Sequence, residues 1–388
     1  MPSDGVASPL TSAPSALAAA PAGVFASADA AQTRWFARIG AALGRPLRVH
    51  ALFIVLIAVY VFAALVVPPL LGVRSRFSPG LYSDVLLKIN AAFFAGLLFA
   101  YVSYVLIRVR PPRLTHYLWT EITGRYATVE RICMALPVFV LFPLFASTFT
   151  YFKAAIPLFH PFDWDAQFAA WDQALHGGHA AWEWLQPIFG YPYATAFINA
   201  VYHLWFFVTY GVLVWQALSL GRPRLRMQYL LTTLLLWSLV GNLAATVLSS
   251  AGPVYFGRVT GLVDPFAPLM AYLHQANDVV PVMALQVQDM LWQAYAGNST
   301  EIGAGISAMP SLHVATAFSY VLVGFAVRRW LGILLAGFAA LIMIGSVHLG
   351  WHYAIDGYVG ILCTVLIWRA VGWVLDRPAV ARLLRAAP

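Results

Sequence analysis

The chain has 388 residues, 61% of them hydrophobic and only 10% charged, with a mean hydropathy of +0.75. An ordinary soluble domain carries roughly a quarter charged residues, so this composition excludes one and makes the bilayer the solvent. Basic residues exceed acidic ones by eight, yet all but Lys88 and Lys153 are Arg and no Lys/Arg-dense stripe appears, which excludes a nucleic-acid binder.

Residues 1–48 read as a cytoplasmic tail whose Ala-, Pro- and Ser-rich first part lacks hydrophobic periodicity and is expected to be disordered. Leu17 to Ala31 has the outline of a signal peptide, but the region before it carries Asp4 and no Lys or Arg, so a solvated tail is the reading. Apolar runs long enough to cross a membrane then follow at about 51–72, 85–107, 131–152, 193–219, 228–249, 311–327, 330–348 and 352–373. The expected fold is an all-α integral membrane protein of about eight transmembrane helices. Two additional helices in 49–130 precede a six-helix core in 131–375, and 376–388 form a second cytoplasmic tail. Cys133 and Cys363 fall inside apolar runs, where they are expected to pack as small hydrophobes.

With the N-terminus inside, 18 of the 23 basic residues fall on the cytoplasmic side, and ten of the 15 acidic ones on or near the other. That distribution obeys the positive-inside rule and puts both termini in the cytoplasm. Abundant Ala and Arg with scarce Lys points to a high-GC genome, hence a bacterial cytoplasmic membrane. Between the third and fourth runs, Trp164, Phe168, Trp171 and Leu175 recur at helical steps while Asp165 and Asp172 point elsewhere, the pattern of a helix anchored in the interface. The segment from Ser250 to Pro310 is weakly apolar with Pro and Gly at both ends, and is expected to hold short interfacial helices.

Ionisable groups inside membrane spans are costly and by default functional. Here they gather at one depth. His313 opens the sixth span in Pro310-Ser311-Leu312-His313, while His352 and Asp356 open the eighth. Their i,i+4 spacing puts the carboxylate where it can fix the imidazole tautomer. His348 lies one turn earlier, but no Cys and no acidic third ligand completes a zinc site; His176 and His179 read as loop residues and His203 as a packing residue. No metal or cofactor is expected.

Pro310-Ser311-Leu312-His313 resembles the P-S-x-H motif, and His352 to Asp356 the H-x-x-x-D motif, of the type 2 phosphatidic acid phosphatase superfamily. The resemblance implies that His352 attacks phosphorus, Asp356 orients it, and His313 protonates the leaving oxygen. Ser311 and the helix start after it would offer donors to a phosphate oxygen. The superfamily's usual Lys and Arg-Pro pair and its Ser-Arg are missing; Ala251-Gly252-Pro253-Val254-Tyr255-Phe256-Gly257-Arg258 and Gly345-Ser346-Val347 stand in their places. With His352-Tyr353-Ala354-Ile355-Asp356-Gly357, this combination resembles the inositol phosphorylceramide synthase branch over about residues 131–370.

On the extracytoplasmic side only Arg258 lies close in sequence to the motifs, and one guanidinium suits a phosphodiester's single charge better than a monoester's near-double charge. Arg258 and Ser311 are therefore the candidate phosphate ligands, and Tyr255 and Tyr353 candidate substrate contacts. The expected activity is transfer of a phosphorylated headgroup from a glycerophospholipid, phosphatidylinositol among them, to a lipid alcohol such as ceramide. Its partners are thus two lipids and the bilayer. The alternatives are a lipid phosphate or isoprenoid diphosphate phosphatase and, from another class, a proton-coupled transporter; no inverted repeat or broken helix pair supports the latter.

Overall fold

The computed structural model describes residues 44–72, 77–297, 299 and 301–384. Almost all of the expected disordered tail, including the signal-peptide-like stretch, lies outside them. All of the described residues but Gly44 belong to one compact unit, Arg45–Pro388.

Among the described residues every regular element is helical. The helices are α1 Ala51–Leu70, α2 Ser83–Tyr104, α3 Leu114–Glu121, α4 Val129–Phe159, α5 Asp165–Leu175, α6 Ala181–Phe189, α7 Pro192–Leu218 and α8 Pro223–Leu235. They continue as α9 Phe256–Thr260, α10 Ala267–Val279, α11 Met283–Ala296, α12 Leu312–Val327, α13 Arg329–His348, α14 Ala354–Leu375 and α15 Pro378–Leu384. Seven are long and apolar enough to cross a membrane, counting α8 with the π-helical segment Leu236–Ala244 that continues it; the remaining expected span, the sixth, is α12, which has 16 residues. The protein is an all-α integral membrane protein. The segment expected as short helices contains α9, α10 and α11, and α3 forms between the second and third apolar runs.

Local chemistry fixes the ends that matter. Thr128 caps α4 by accepting the Arg131 N–H, and Ser311 caps α12 by accepting the Val314 N–H. Proline starts α7 and α8, where its missing N–H costs no helical bond. Pro137, Pro143 and Pro157 lie inside the 31-residue α4, as membrane helices tolerate when neighbours satisfy the freed carbonyls. Ser147 Oγ and Thr148 Oγ1 each add a bond to the carbonyl one turn back, of Pro143 and Leu144, although the carbonyls the prolines free are those of Cys133, Phe139 and Lys153.

α12 packs against α13 and α14, α13 against α7, and α14 against α8, with α1 laid along α4. Arginines tie one end of this bundle together. Arg45 pairs with Glu130 at 2.7 Å, Arg131 donates to the Leu218 carbonyl, Arg222 to that of Ala326, and Arg224 pairs with Asp376 at 2.7 Å. These contacts join the starts of α4 and α8 to the ends of α7, α12 and α14. His313 and His352 therefore sit at the opposite end.

Candidate functional site

Two turns bring the motif residues together. α13 ends at His348, and the Trp351 and His352 N–H groups both donate to the Ser346 carbonyl at 3.0 Å, so the chain doubles back before α14 begins. Opposite it runs the loop Ser250–Gly252, where Gly252 has φ +97 and a Cβ built there would lie 2.6 Å from the Trp351 carbonyl. Only glycine fits. Gly360 has a comparable role on α14: a Cβ there would lie 2.7 Å from the Ser311 carbonyl, so its absence lets α14 approach the start of α12. The Ser311 N–H donates to the Asp356 carbonyl at 3.0 Å across this contact.

Within that frame His352 Nδ1 meets Asp356 Oδ2 at 3.2 Å, and the same carboxylate oxygen accepts the Tyr353 N–H at 3.0 Å. His352 and Asp356 are buried. A carboxylate held by the main chain keeps the proton on Nδ1 and leaves Nε2 with its lone pair. His313 lies across a cavity of about 860 Å³ that both histidines line, with their ring centroids 6.3 Å apart. Its ring stacks on Tyr202 at 4.9 Å and leans on Trp205 at 4.3 Å, and Trp205 Nε1 donates to its carbonyl. That aromatic seat fixes the ring without consuming its nitrogens.

The cation in this cavity is not the one the sequence suggested. Arg258 is exposed, its guanidinium carbon stands 5.0 Å from the Trp292 ring centroid, and it does not line the cavity. Lys153, near the end of α4, does line it, and its charge acts on both His313 and His352. It is the single Lys or Arg among the lining residues. Sequence reasoning passed over Lys153 because its partners are some 160 to 200 residues away. A signal was available: Lys153 follows Phe142, Ala146, Phe149 and Thr150 at helical steps, all on one face of α4, and that face lines the cavity.

The remaining candidates divide. Tyr255 lines the cavity, stacks on Trp292 at 5.3 Å and donates from its hydroxyl to the Gln288 carbonyl at 2.7 Å; burial raises its phenol, so it stays a donor. Ser311 is buried, engaged as the α12 cap and absent from the lining. Tyr353 is also buried outside the cavity, its hydroxyl donating to Asp165 Oδ1 at 2.8 Å. His203, read from the sequence as a packing residue, lines the cavity, with Nδ1 bonded to the Asn199 carbonyl at 2.8 Å. His348 turns to Thr195 at 2.9 Å, and His179 to Glu183 at 3.0 Å. Among the described residues no three His, Cys, Asp or Glu side chains are grouped to hold a metal ion. Cys133 and Cys363 are free and half-buried.

The helix α5 corrects the interfacial reading of its face. Trp171 and Leu175 are exposed, but Phe168 is buried together with Asp165 and Asp172. The carboxylates face inward because the site's loops present unpaired donors there. Asp165 accepts from Ser250 Oγ, the Ala251 and Gly252 N–H groups and the Tyr353 hydroxyl, all at 2.7–2.8 Å. Asp172 accepts the Ile355 N–H at 3.1 Å in the first turn of α14; burial pushes its carboxyl up, against the lowering effect of that bond. Asp165→Ala should therefore lower the thermal unfolding midpoint of the detergent-solubilised protein, since each stranded donor costs about 1–3 kcal/mol. Asp163→Ala, at a side chain 57% exposed, should shift it little, and equal shifts would refute the buried-acceptor role.

Neither a curated protein nor a solved structure matches the chain. A family model does, over residues 166–370, just over half the chain. That stretch runs from α5 through most of α14 and holds His313, His352 and Asp356 in the arrangement just described, and the chain belongs to the PAP2 superfamily.

Proposed function

We propose that the protein is a lipid phosphotransferase that works through a phosphohistidine at His352 and needs no metal. Superfamily membership supports a phosphatase-type lipid enzyme. The observation that carries the finer reading is the cavity itself, where His352, His313 and one cation, Lys153, share a wall. A single ammonium offsets the single charge of a phosphodiester, whereas a monoester dianion calls for two or three cations. The donor is accordingly a glycerophospholipid with a phosphodiester headgroup, such as phosphatidylinositol, and the acceptor a lipid alcohol such as ceramide.

In the first step His352 Nε2 attacks phosphorus, the P–O bond to the glycerol breaks, and His313 gives its proton to the departing oxygen. Asp356 accepts Nδ1–H throughout and offsets the imidazolium charge. Lys153 faces the equatorial oxygens as their charge spreads. In the second step His313 takes the proton of the acceptor hydroxyl, which attacks phosphorus as the P–N bond breaks. The basic-rich opposite end of the bundle supports an active site on the extracytoplasmic side.

The test is incubation of the purified chain with phosphatidylinositol labelled at phosphorus, with and without ceramide, in the presence of chelator. Label should move to ceramide. Label released only as a water-soluble phosphate, whether or not ceramide is present, would make the protein a hydrolase instead; complete loss in chelator, restored by added metal, would overturn the metal-free mechanism. His313→Ala should slow turnover by roughly 10²–10⁴-fold with a natural donor. The loss should shrink for a donor with an aryl leaving group, which departs without a proton. An equal loss for both donors would argue against the acid role.

A further inference from the structure

The cavity is deeper than a headgroup needs, and three of the helices that wall it, α2, α4 and α7, each present one face along its depth. The lining runs from Tyr82, the cap residue of α2, to Phe93 within that helix, from Lys153 back to Phe142 on α4, and from Tyr202 to Leu213 on α7. Each run covers 11 residue steps (93 − 82, 153 − 142 and 213 − 202), which at 1.5 Å per residue is about 16 Å. Half of a roughly 30 Å hydrocarbon core is nearly the same depth. The chamber thus reaches from the histidines about one leaflet inward.

Its two ends differ in chemistry. Lys153, His313 and His352 stand at the head. At the far end the polar groups are spent on one another: the Tyr210 hydroxyl donates to Asn90 Oδ1 at 2.5 Å and the Tyr320 hydroxyl to Thr209 Oγ1 at 2.7 Å. Phe93 packs edge-on against Tyr210 at 5.2 Å. Apart from the Trp237 Nε1–H, which has no partner, the lining there offers a ligand only apolar surface and already paired polar groups, so the occupant of that end is hydrocarbon.

α2 lies outside the family-matched residues, yet it is built into the site. The Tyr82 N–H donates to Ser147 Oγ at 3.2 Å, its hydroxyl lies 3.0 Å from Thr150 Oγ1, and the same hydroxyl accepts the Gly303 N–H at 2.9 Å. Leu86 is the one buried residue of α2, so this helix is a thin partition between chamber and bilayer. We propose that the chamber holds one hydrocarbon chain of the lipid whose phosphorus faces His352, and that α2 sets the length and bulk of chain accepted.

The proposal rests on His352 as the phosphoryl-accepting residue. A chain drawn from the bilayer gains no hydrophobic free energy in an equally apolar chamber, because lipid tails are as apolar as the lining. What the chamber adds is fit, and fit discriminates by shape.

The test uses the full chain in bilayer discs with a phosphatidylinositol bearing a photoreactive diazirine at the end of one acyl chain. On irradiation, label should concentrate near Ala92, Phe93, Phe142 and Leu213. Ala92→Trp, which fills the α2 wall, should cut that labelling roughly ten-fold, and slow turnover of long-chain donors while sparing one with four-carbon chains. Ala91→Trp, on the opposite exposed face of α2, should do neither. Label spread evenly over the lipid-facing helices of the unmodified chain would overturn the proposal, as would an Ala92→Trp profile unchanged with chain length. Chamber labelling without any phosphoryl transfer would leave the chain site standing and remove the transferase reading instead.

Discussion

His352→Ala should abolish both turnover and the phosphoenzyme, with a fall of at least ~10⁴-fold of the kind seen when a nucleophile is deleted. The covalent intermediate is its most specific signature, because a phosphohistidine is labile to acid and stable to base. In the native chain a brief pulse of labelled donor without acceptor should trap it, and in the variant it should be missing. Asp356→Asn should retain folding, since the amide keeps an oxygen for the Tyr353 N–H that now reaches Asp356 Oδ2 at 3.0 Å. Turnover should still drop by roughly 10²–10⁴-fold, because a neutral amide neither offsets the imidazolium nor holds the Nδ1 tautomer as firmly. Full activity in His352→Ala would sink the mechanism.

The residues readable from the sequence were those whose meaning is local. His352 and Asp356 are four residues apart. Although His352 lies two residues before α14, with Tyr353 extended at the cap, the first turn of α14 carries Asp356 back to it, so their 3.2 Å contact is still made within a short stretch of chain. The spans were legible for a similar reason: length and apolarity decide them, and the helix bounds fall within a few residues of the apolar runs except where α4 extends to Phe159. Arg258 failed for the complementary reason. It is near the motifs in sequence, but the short helix α9 carries it out over Trp292, and nearness along the chain says nothing of direction.

Asp165 and Asp172 misled the pattern reading because acidic residues on an amphipathic helix usually face water. Here the main-chain donors of Ala251, Gly252 and Ile355 needed acceptors more than the carboxylates needed solvent. No window of sequence around α5 contains those donors. The same holds for α2, whose hydropathy marks it as a span while only the tertiary structure shows which face it turns to the cavity.

Lys153→Met should lower kcat/KM for a phosphodiester donor by about 10²–10³-fold, the usual cost of removing a preorganised charge from a developing anion. Methionine is nearly as long and apolar, so the α4 wall stays filled and the thermal midpoint should hold or rise, because a half-buried ammonium is no longer kept from water. Lys153→Arg should recover part of the loss. Arg258→Gln is the matched control, since Arg258 is stacked on Trp292 outside the cavity, and it should cost no more than about five-fold. If instead Arg258→Gln were the crippling change and Lys153→Met mild, the phosphate would sit toward Trp292 and the charge argument would return to the guanidinium. The donor comparison carries the same logic one step further. With one cation on the wall, a phosphomonoester should bind more weakly than the diester at a pH where it is doubly charged, and improve as falling pH removes its second charge. A monoester favoured at high pH would mean that the cavity gathers more positive charge than Lys153 alone.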